Sequence, residues 1–211
     1  DKTGTLTKNE MTVRQLHTVD GYYGVTGDGF NPKGALSIDG SELDEDSMST
    51  LQSNPGFRLL AACLSLCHNS QISKHEGRWT AIGDPTDSAC AVLGWKLNGE
   101  VRKFSQRHPR LHEFFFDTER KRMSVIHEYE GERWVFAKGA AGGFVPITTH
   151  RYSDGELVQI SEDDLREASK RNKEMGSQSM RVIALAAKKL ADDEDMTCLL
   201  YTSDAADELS C

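Results

Sequence analysis

Asp1-Lys2-Thr3-Gly4-Thr5-Leu6-Thr7 sets a carboxylate ahead of a lysine, a glycine and small hydroxyl residues. That combination suits an aspartyl nucleophile. A carboxylate oxygen must approach phosphorus while backbone N–H groups and a cation offset the phosphate charge. Further along, Phe114-Phe115-Phe116 runs into Asp117-Thr118-Glu119-Arg120-Lys121-Arg122. Arg120, Lys121 and Arg122 form a cationic spot able to focus a polyanion on an otherwise acidic chain. Taken alone, a Phe beside a run of charge is more often a core residue next to a solvated face. Gly83-Asp84-Pro85-Thr86-Asp87 reads as a helix start, with Asp84 as N-cap, Pro85 at the first helical position and an acid, Asp87, at the third. Lys138-Gly139-Ala140 closes a β-rich run.

These residues need elements to hold them. Met11 to Val19 has strand character, and Gly21, Gly24, Gly27, Gly29, Pro32 and Gly34 then break the chain into turns. Asp39 to Ser49 is acidic and reads as a surface loop. Phe57, Leu60, Ala61, Leu64 and Cys67 recur at helical spacing, predicting a core helix, and the helix begun at Asp84 runs to about Leu97. Arg122 to Tyr129 and Arg133 to Ala137, joined by Glu130-Gly131-Glu132, predict an antiparallel hairpin. Ser161-Glu162-Asp163-Asp164 caps a second helix, whose narrow apolar stripe of Leu165, Ala168 and Met175 places it on the surface. Met180 to Ala187 reads as a buried strand. Strands interleaved with helix pairs indicate an α+β fold, a sheet layered with helices.

Composition excludes several function classes. The 211 residues carry 25 Lys+Arg against 33 Asp+Glu, a net charge of -8, which argues against a general nucleic-acid binder because phosphate backbones need clustered cations. The longest apolar run, Val182 to Ala187, falls far short of the roughly 20 residues that span a bilayer, so this piece reads as soluble. Five cysteines without paired spacing, and no signal peptide, fit a reducing, intracellular compartment. Cys63 and Cys67 lie four apart on an apolar helix without a second ligand pair, which favours packing over metal binding. His68 and His75 have no ligand partners at suitable spacing, and the His108-Pro109 dipeptide lacks the surroundings that would give it meaning.

The segment Asp1 to Thr7 resembles, at every position, the phosphorylation motif of the P-type ATPases, ion pumps of the haloacid-dehalogenase superfamily. Further segments are similar to the same family in its own order. These are Gly83 to Asp87, where Asp87 stands for the usual Glu; Phe114 to Ser124; Lys138-Gly139-Ala140; and Met180 to Ala186. The resemblance implies a nucleotide-binding domain with a twisted, mainly antiparallel β-sheet flanked by helices. It implies that Asp1 accepts the γ-phosphate of ATP, Lys2 neutralises phosphate charge, and Asp1 and Thr3 hold Mg²⁺. It implies that Phe116 stacks on adenine with Lys121 bordering the pocket. Lys138 would reach the pocket floor, Gly139 would let the backbone approach the ligand, and Arg181 would contact the phosphates. Thr86 and Asp87 would lie at the adenine, with Asp87, one methylene shorter than Glu, acting through water. The family usually continues Lys-Gly-Ala with Pro-Glu, whereas Ala141-Gly142-Gly143 follows here.

On this reading residues 1–10 are the edge of a phosphorylation domain with its hinge, 11–190 the nucleotide-binding domain and 191–197 a linker. Residues 198–211, beginning Cys198-Leu199-Leu200-Tyr201-Thr202-Ser203, resemble the translated read-through of a sequencing-library adapter and are expected to be foreign. The implied parent is a membrane-embedded cation pump of the calcium-pump-like branch, with Ca²⁺ as the first expectation for the ion. This piece would lie on the cytoplasmic face, its partners being ATP and, through absent membrane helices, the transported cation. Two rivals use the same residues: a stand-alone ATP-binding or regulatory module, and a soluble phosphatase of the same superfamily. Thr3 disfavours the phosphatase, which usually carries a general-acid Asp two residues after its nucleophile.

Overall fold

The structure, a computed structural model, describes residues 10–191 together with Leu209 and Ser210. Asp1, Lys2 and Thr3, and most of the stretch 198–211, lie outside the described residues. The chain divides into two compact units between Arg107 and His108. Among the described residues no helix is long and apolar enough to cross a membrane.

In the first unit β1 (Gln15–His17), β2 (Tyr22–Val25), β3 (Leu36–Ile38) and β4 (Ser41–Glu42) form an antiparallel sheet in chain order. Helices α1 (Glu45–Ser53) and α2 (Pro55–Leu66), the hairpin of β5 (Gln71–His75) and β6 (Arg78–Ile82), then α3 (Pro85–Asn98) and α4 (Val101–Arg107) follow. α2 packs on α3, and Phe57, Ala62, Cys63, Leu66, Ala91, Val92 and Leu93 are buried there. Cys63, Cys67 and Cys90 are buried inside this core, as the packing reading of Cys63 and Cys67 expects.

Two expectations need correction in this unit. The strand predicted over Met11 to Val19 is confined to β1; just before it the Arg14 carbonyl still accepts from the Val25 amide at 2.9 Å, while the side chains of Thr12 and Arg14 bond the glycine-rich loop. Thr12 Oγ1 accepts from the Gly29 amide at 3.0 Å, and Arg14 Nη1 donates to the Gly27 carbonyl at 3.1 Å. The acidic stretch from Asp39 to Ser49 is exposed but ordered. It holds a turn, β4 and the start of α1, whose N-cap Asp44 accepts from the Ser47 amide at 2.8 Å.

The second unit is built on a sheet of seven strands in the order β11-β10-β13-β12-β9-β8-β7. Its strands are β7 (Arg110–Asp117), β8 (Arg122–Tyr129), β9 (Glu132–Gly139), β10 (Thr148–Ser153), β11 (Glu156–Gln159), β12 (Ala184–Lys189) and β13 (Leu209–Ser210). All pairings are antiparallel except β10 with β13. The predicted hairpin is β8–β9, and β9 runs two residues past Ala137 to include Lys138 and Gly139. The strand expected from Met180 begins only at Ala184, so Arg181 precedes it. Helix α5 (Glu162–Ser177) has no buried residue, as its narrow stripe predicts.

One device sets the register of four hairpins. Asp39-Gly40, Glu76-Gly77, Glu130-Gly131 and Asp154-Gly155 each place an acid and then a glycine at positive φ, for example 54° and 80° at Glu130 and Gly131. These are the two-residue turns whose twist matches that of the flanking strands. Register then decides which side chains share a face. Ser124, Ala137 and Ala186 lie on one face, where Ala137 and Ala186 pack with Phe144 and Ile147. Met123, Lys138 and Leu185 lie on the other.

At the start of α5, Ser161 and Asp164 close a capping box, and Asp164 also meets Arg151 Nε at 3.1 Å. Hydrogen bonds from the Ser161 side chain and amide, then Arg151, lower the Asp164 pKa from 3.8 to about 2. A carboxyl lowered on folding stabilises fully above its unfolded value and loses that contribution as pH falls through its folded value. In urea titrations, the difference between this chain and Asp164→Ala is therefore expected to be constant at pH values well above 3.8 and to shrink progressively as pH falls through about 2. A difference unchanged across that window would disprove the role.

Candidate functional site

A single row of cross-strand partners closes one end of the large sheet: Asp117 on β7, Arg122 on β8, Gly139 on β9 and Ala184 on β12. Four sequence-predicted residues gather along it. Phe116 precedes Asp117 on β7, Lys121 ends the loop into β8, and Lys138 and Gly139 end β9. Arg181 is exposed in the segment leading into β12.

β7 enters this end through a bulge. Phe114 pairs with Ser124 and Asp117 with Arg122, so Phe115 and Phe116 together face the single residue Met123. A bulge breaks the alternation of faces. Phe114 stays in the core at 4% exposure, while Phe115 and Phe116 are 73% and 60% exposed. The core alternative for Phe116 is thereby ruled out. Phe115 is equally presented, which alternation alone does not reveal.

The loop from Thr118 to Lys121 is tied on three sides. Asp117 Oδ1 accepts from the amides of Glu119 at 2.9 Å and Arg120 at 2.8 Å, an Asx turn. Those bonds, with Arg120's first, outweigh desolvation and hold the Asp117 carboxyl below its usual range, and the guanidinium groups of Arg120 and Arg122 add to the effect. Lys121 sits at φ 55°, and its carbonyl accepts from the Ala140 amide at 3.0 Å. Arg122 Nη1 donates to the carbonyls of Arg120 at 3.2 Å and Gly143 at 3.1 Å. Burial, then the Arg120 charge, lowers the Arg122 pKa.

Gly139 makes the close approach possible. A Cβ there would collide with the Lys121 carbonyl oxygen and stand 2.7 Å from Arg122 Cα. The expectation that Gly139 admits a ligand thus meets a second demand, since its bare Cα already admits the neighbouring backbone. The Ala141-Gly142-Gly143 exit is explained in the same way. It forms one 3-10 turn that delivers Phe144 into the core, and a Cβ at Gly143 would stand 2.8 Å from the Arg120 carbonyl oxygen. Lys138 is buried to 5% exposure between its cross-strand partners Met123 and Leu185, an uncommon place for a lysine.

Thr86 and Asp87 belong to the first unit, in the first turn of α3. Asp84 Oδ1 accepts from the amides of Thr86 at 2.8 Å and Asp87 at 3.3 Å, with Pro85 at the helix start as predicted. Asp87 Oδ2 accepts from the Asn69 amide at 3.1 Å, and Ser88 Oγ donates to Ser70 Oγ at 3.0 Å. The shortened acid therefore ties the turn after α2 to α3. Thr86 Oγ1 donates to Met11 Sδ at 3.6 Å.

Among the described residues no cluster of His, Cys, Asp or Glu could hold a metal ion. A shallow groove of about 480 Å³ runs along α5, but its lining, Leu165 to Glu174, comes from one exposed helix and includes no candidate residue.

The family model for the P-type ATPase cytoplasmic domain N matches residues 56–208. The chain is 32% identical over 196 residues to a calcium-transporting ATPase of Bacillus subtilis, covering 92% of this chain and 21% of that protein. It is 30% identical over 193 residues to the cation-transporting ATPase pma1 of Synechocystis, covering 89% and 20%. With the calcium-transporting ATPase type 2C member 1 of Bos taurus it shares 32% over 192 residues, covering 89% and 19%. The chain thus spans about a fifth of the length of these relatives.

Gly139→Ala is expected to destabilise the fold by about 1–3 kcal/mol, the usual cost of overpacking. Gly142→Ala, where nothing lies within 4 Å of the added carbon, is the neutral control. Equal unfolding midpoints for the two variants would contradict the close approach.

Proposed function

The chain belongs to the P-type ATPase cytoplasmic domain N family, and we propose that it is the ATP-binding and phosphorylation-motif piece of an ion-translocating P-type ATPase. The parent enzyme would be embedded in a membrane, with this piece on the cytoplasmic face. Ca²⁺ is the proposed ion, on the strength of relatives named calcium-transporting ATPases. Residues 11–190 would be the nucleotide-binding domain, a twisted, mainly antiparallel sheet flanked by helices. Residues 1–10 would be the edge of the phosphorylation domain with its hinge, 191–197 a linker and 198–211 a foreign tail.

The observation that carries the reading is the sheet end where the bulge exposes Phe116 beside Lys121, Lys138 and Gly139. An aromatic face on a purine is worth about 1–3 kcal/mol and reads the base edge little. Lys121 and Lys138 supply positive charge for a nucleoside triphosphate, and Arg181 a planar fork for phosphate oxygens. Thr86 and Asp87 are proposed to meet the adenine, Asp87 through water because its arm is one methylene shorter than the family's usual Glu.

Asp1 would accept the γ-phosphoryl group, Lys2 would neutralise charge, and Mg²⁺ held by Asp1 and Thr3 would screen the transferring group. In the parent, a hinge near residues 8–12 would bring ATP to Asp1, and the resulting acyl phosphate would drive ion occlusion and release.

Nuclear magnetic resonance titration with ATP tests the pocket. Phe116→Ala and Lys138→Ala are each expected to weaken binding about tenfold while the unfolding midpoint stays above the titration temperature. Unchanged affinity in both would remove the pocket. The isolated chain is also expected to release no phosphate from ATP above the Lys138→Ala background, and steady turnover would contradict its reading as an incomplete piece.

A further inference from the structure

The loop between β7 and β8 is held more tightly than a hairpin requires. Four residues, Thr118 to Lys121, separate the paired positions Asp117 and Arg122. A loop of this length needs no side-chain support to close. Here the Asp117 carboxylate takes two successive amides, and Arg122 grips the Arg120 carbonyl from the other side. Arg120 Nη2 also reaches back to the Phe115 carbonyl at 3.3 Å. The turn and the bulge that exposes Phe116 are therefore fastened to each other.

We infer that Asp117 is a positioning residue for nucleotide binding, fixing the loop so that Phe116 and Lys121 are presented together, an inference that rests on the ATP-binding reading above. Asp117 does not touch the nucleotide in this scheme. Its Oδ1 substitutes for backbone partners that the loop lacks. Left unheld, the non-glycine residue Lys121 would leave the left-handed region, where an L side chain is disfavoured. Binding would then have to supply the ordering of Lys121 and Phe116 that the turn supplies in advance. The role is geometric rather than electrostatic, since a carboxylate beside a triphosphate repels it.

Geometry and charge separate cleanly in three variants. Asp117→Asn keeps the Oδ1 acceptor at the same reach and drops the charge. Asp117→Glu keeps the charge but lengthens the arm by a methylene, opening the ring. Asp117→Ala removes both. ATP affinity of the 211-residue chain is measured for each well below its unfolding midpoint, alongside Phe116→Ala and Lys138→Ala, with hydrogen exchange followed at the Glu119 and Arg120 amides. Ala and Glu are expected to weaken ATP binding about tenfold and to speed exchange at those two amides, while Asn keeps both near the starting chain. The Glu and Asn variants alone decide the matter if the alanine variant does not fold. Full affinity in Glu with loss in Asn would replace geometry by charge and overturn the inference, as would unchanged affinity in both Ala and Glu. Were Phe116→Ala and Lys138→Ala also without effect, the ATP pocket itself would fall, whereas an effect in those two alone would remove only the role of Asp117.

Discussion

The absence of a side chain at Gly139 is the constraint on which the rest of the site depends. Because Gly139 has no Cβ, the backbone of Lys121 and Arg122 can lie against β9, and the Ala140 amide can reach the Lys121 carbonyl. That contact sets where the β7–β8 loop lies, and the loop sets where the bulge turns Phe115 and Phe116 outward. Arg122 then spans the row and reaches the exit of β9 at Gly143. Three strands and two connections are fitted around one missing methyl group, so the site residues are placed by backbone packing before any ligand contributes.

Much of this was legible in the residues. Asp84-Pro85 predicts the start of α3, Ser161 to Asp164 predicts the cap of α5, and Glu130-Gly131 predicts the β8–β9 hairpin. All three are local, and each depends only on which dihedral angles and hydrogen bonds a few neighbouring residues allow. The same acid-glycine signature at Asp39, Glu76 and Asp154 was available and would have found β4, β5 and β11. The motif segments identified Phe116, Lys121, Lys138 and Gly139, and the register places those four at one end of one sheet.

What could not be read depends on partners distant in the chain. Whether Phe114, Phe115 or Phe116 lies in the core is decided by a bulge, and a bulge exists only relative to the paired strand. The strand expected from Met11 is only three residues long, and the side-chain bonds of Arg14 and Thr12 to Gly27 and Gly29 join partners that no local pattern encodes. Asp87 illustrates the limit most plainly. As a helix-start acid it was legible, but its bond to the Asn69 amide comes from the packing of the turn after α2 on α3.

The strand order also has a consequence for the path of folding. β7, β8 and β9 are neighbours both in the chain and in the sheet, so they can zip together through short loops at little entropic cost. β12 joins β9 only after β10, β11 and α5 have intervened in the chain, and it adds Ala184 beside Gly139 to the row that starts at Asp117. The Asp117 turn is thus assembled in the early meander, whereas β12, the strand that the segment with Arg181 leads into, waits for a long-range closure. A chain interrupted before residue 181 would keep β7, β8 and β9, with Phe116, Lys121 and Lys138, and would lack both Arg181 and the strand that follows it.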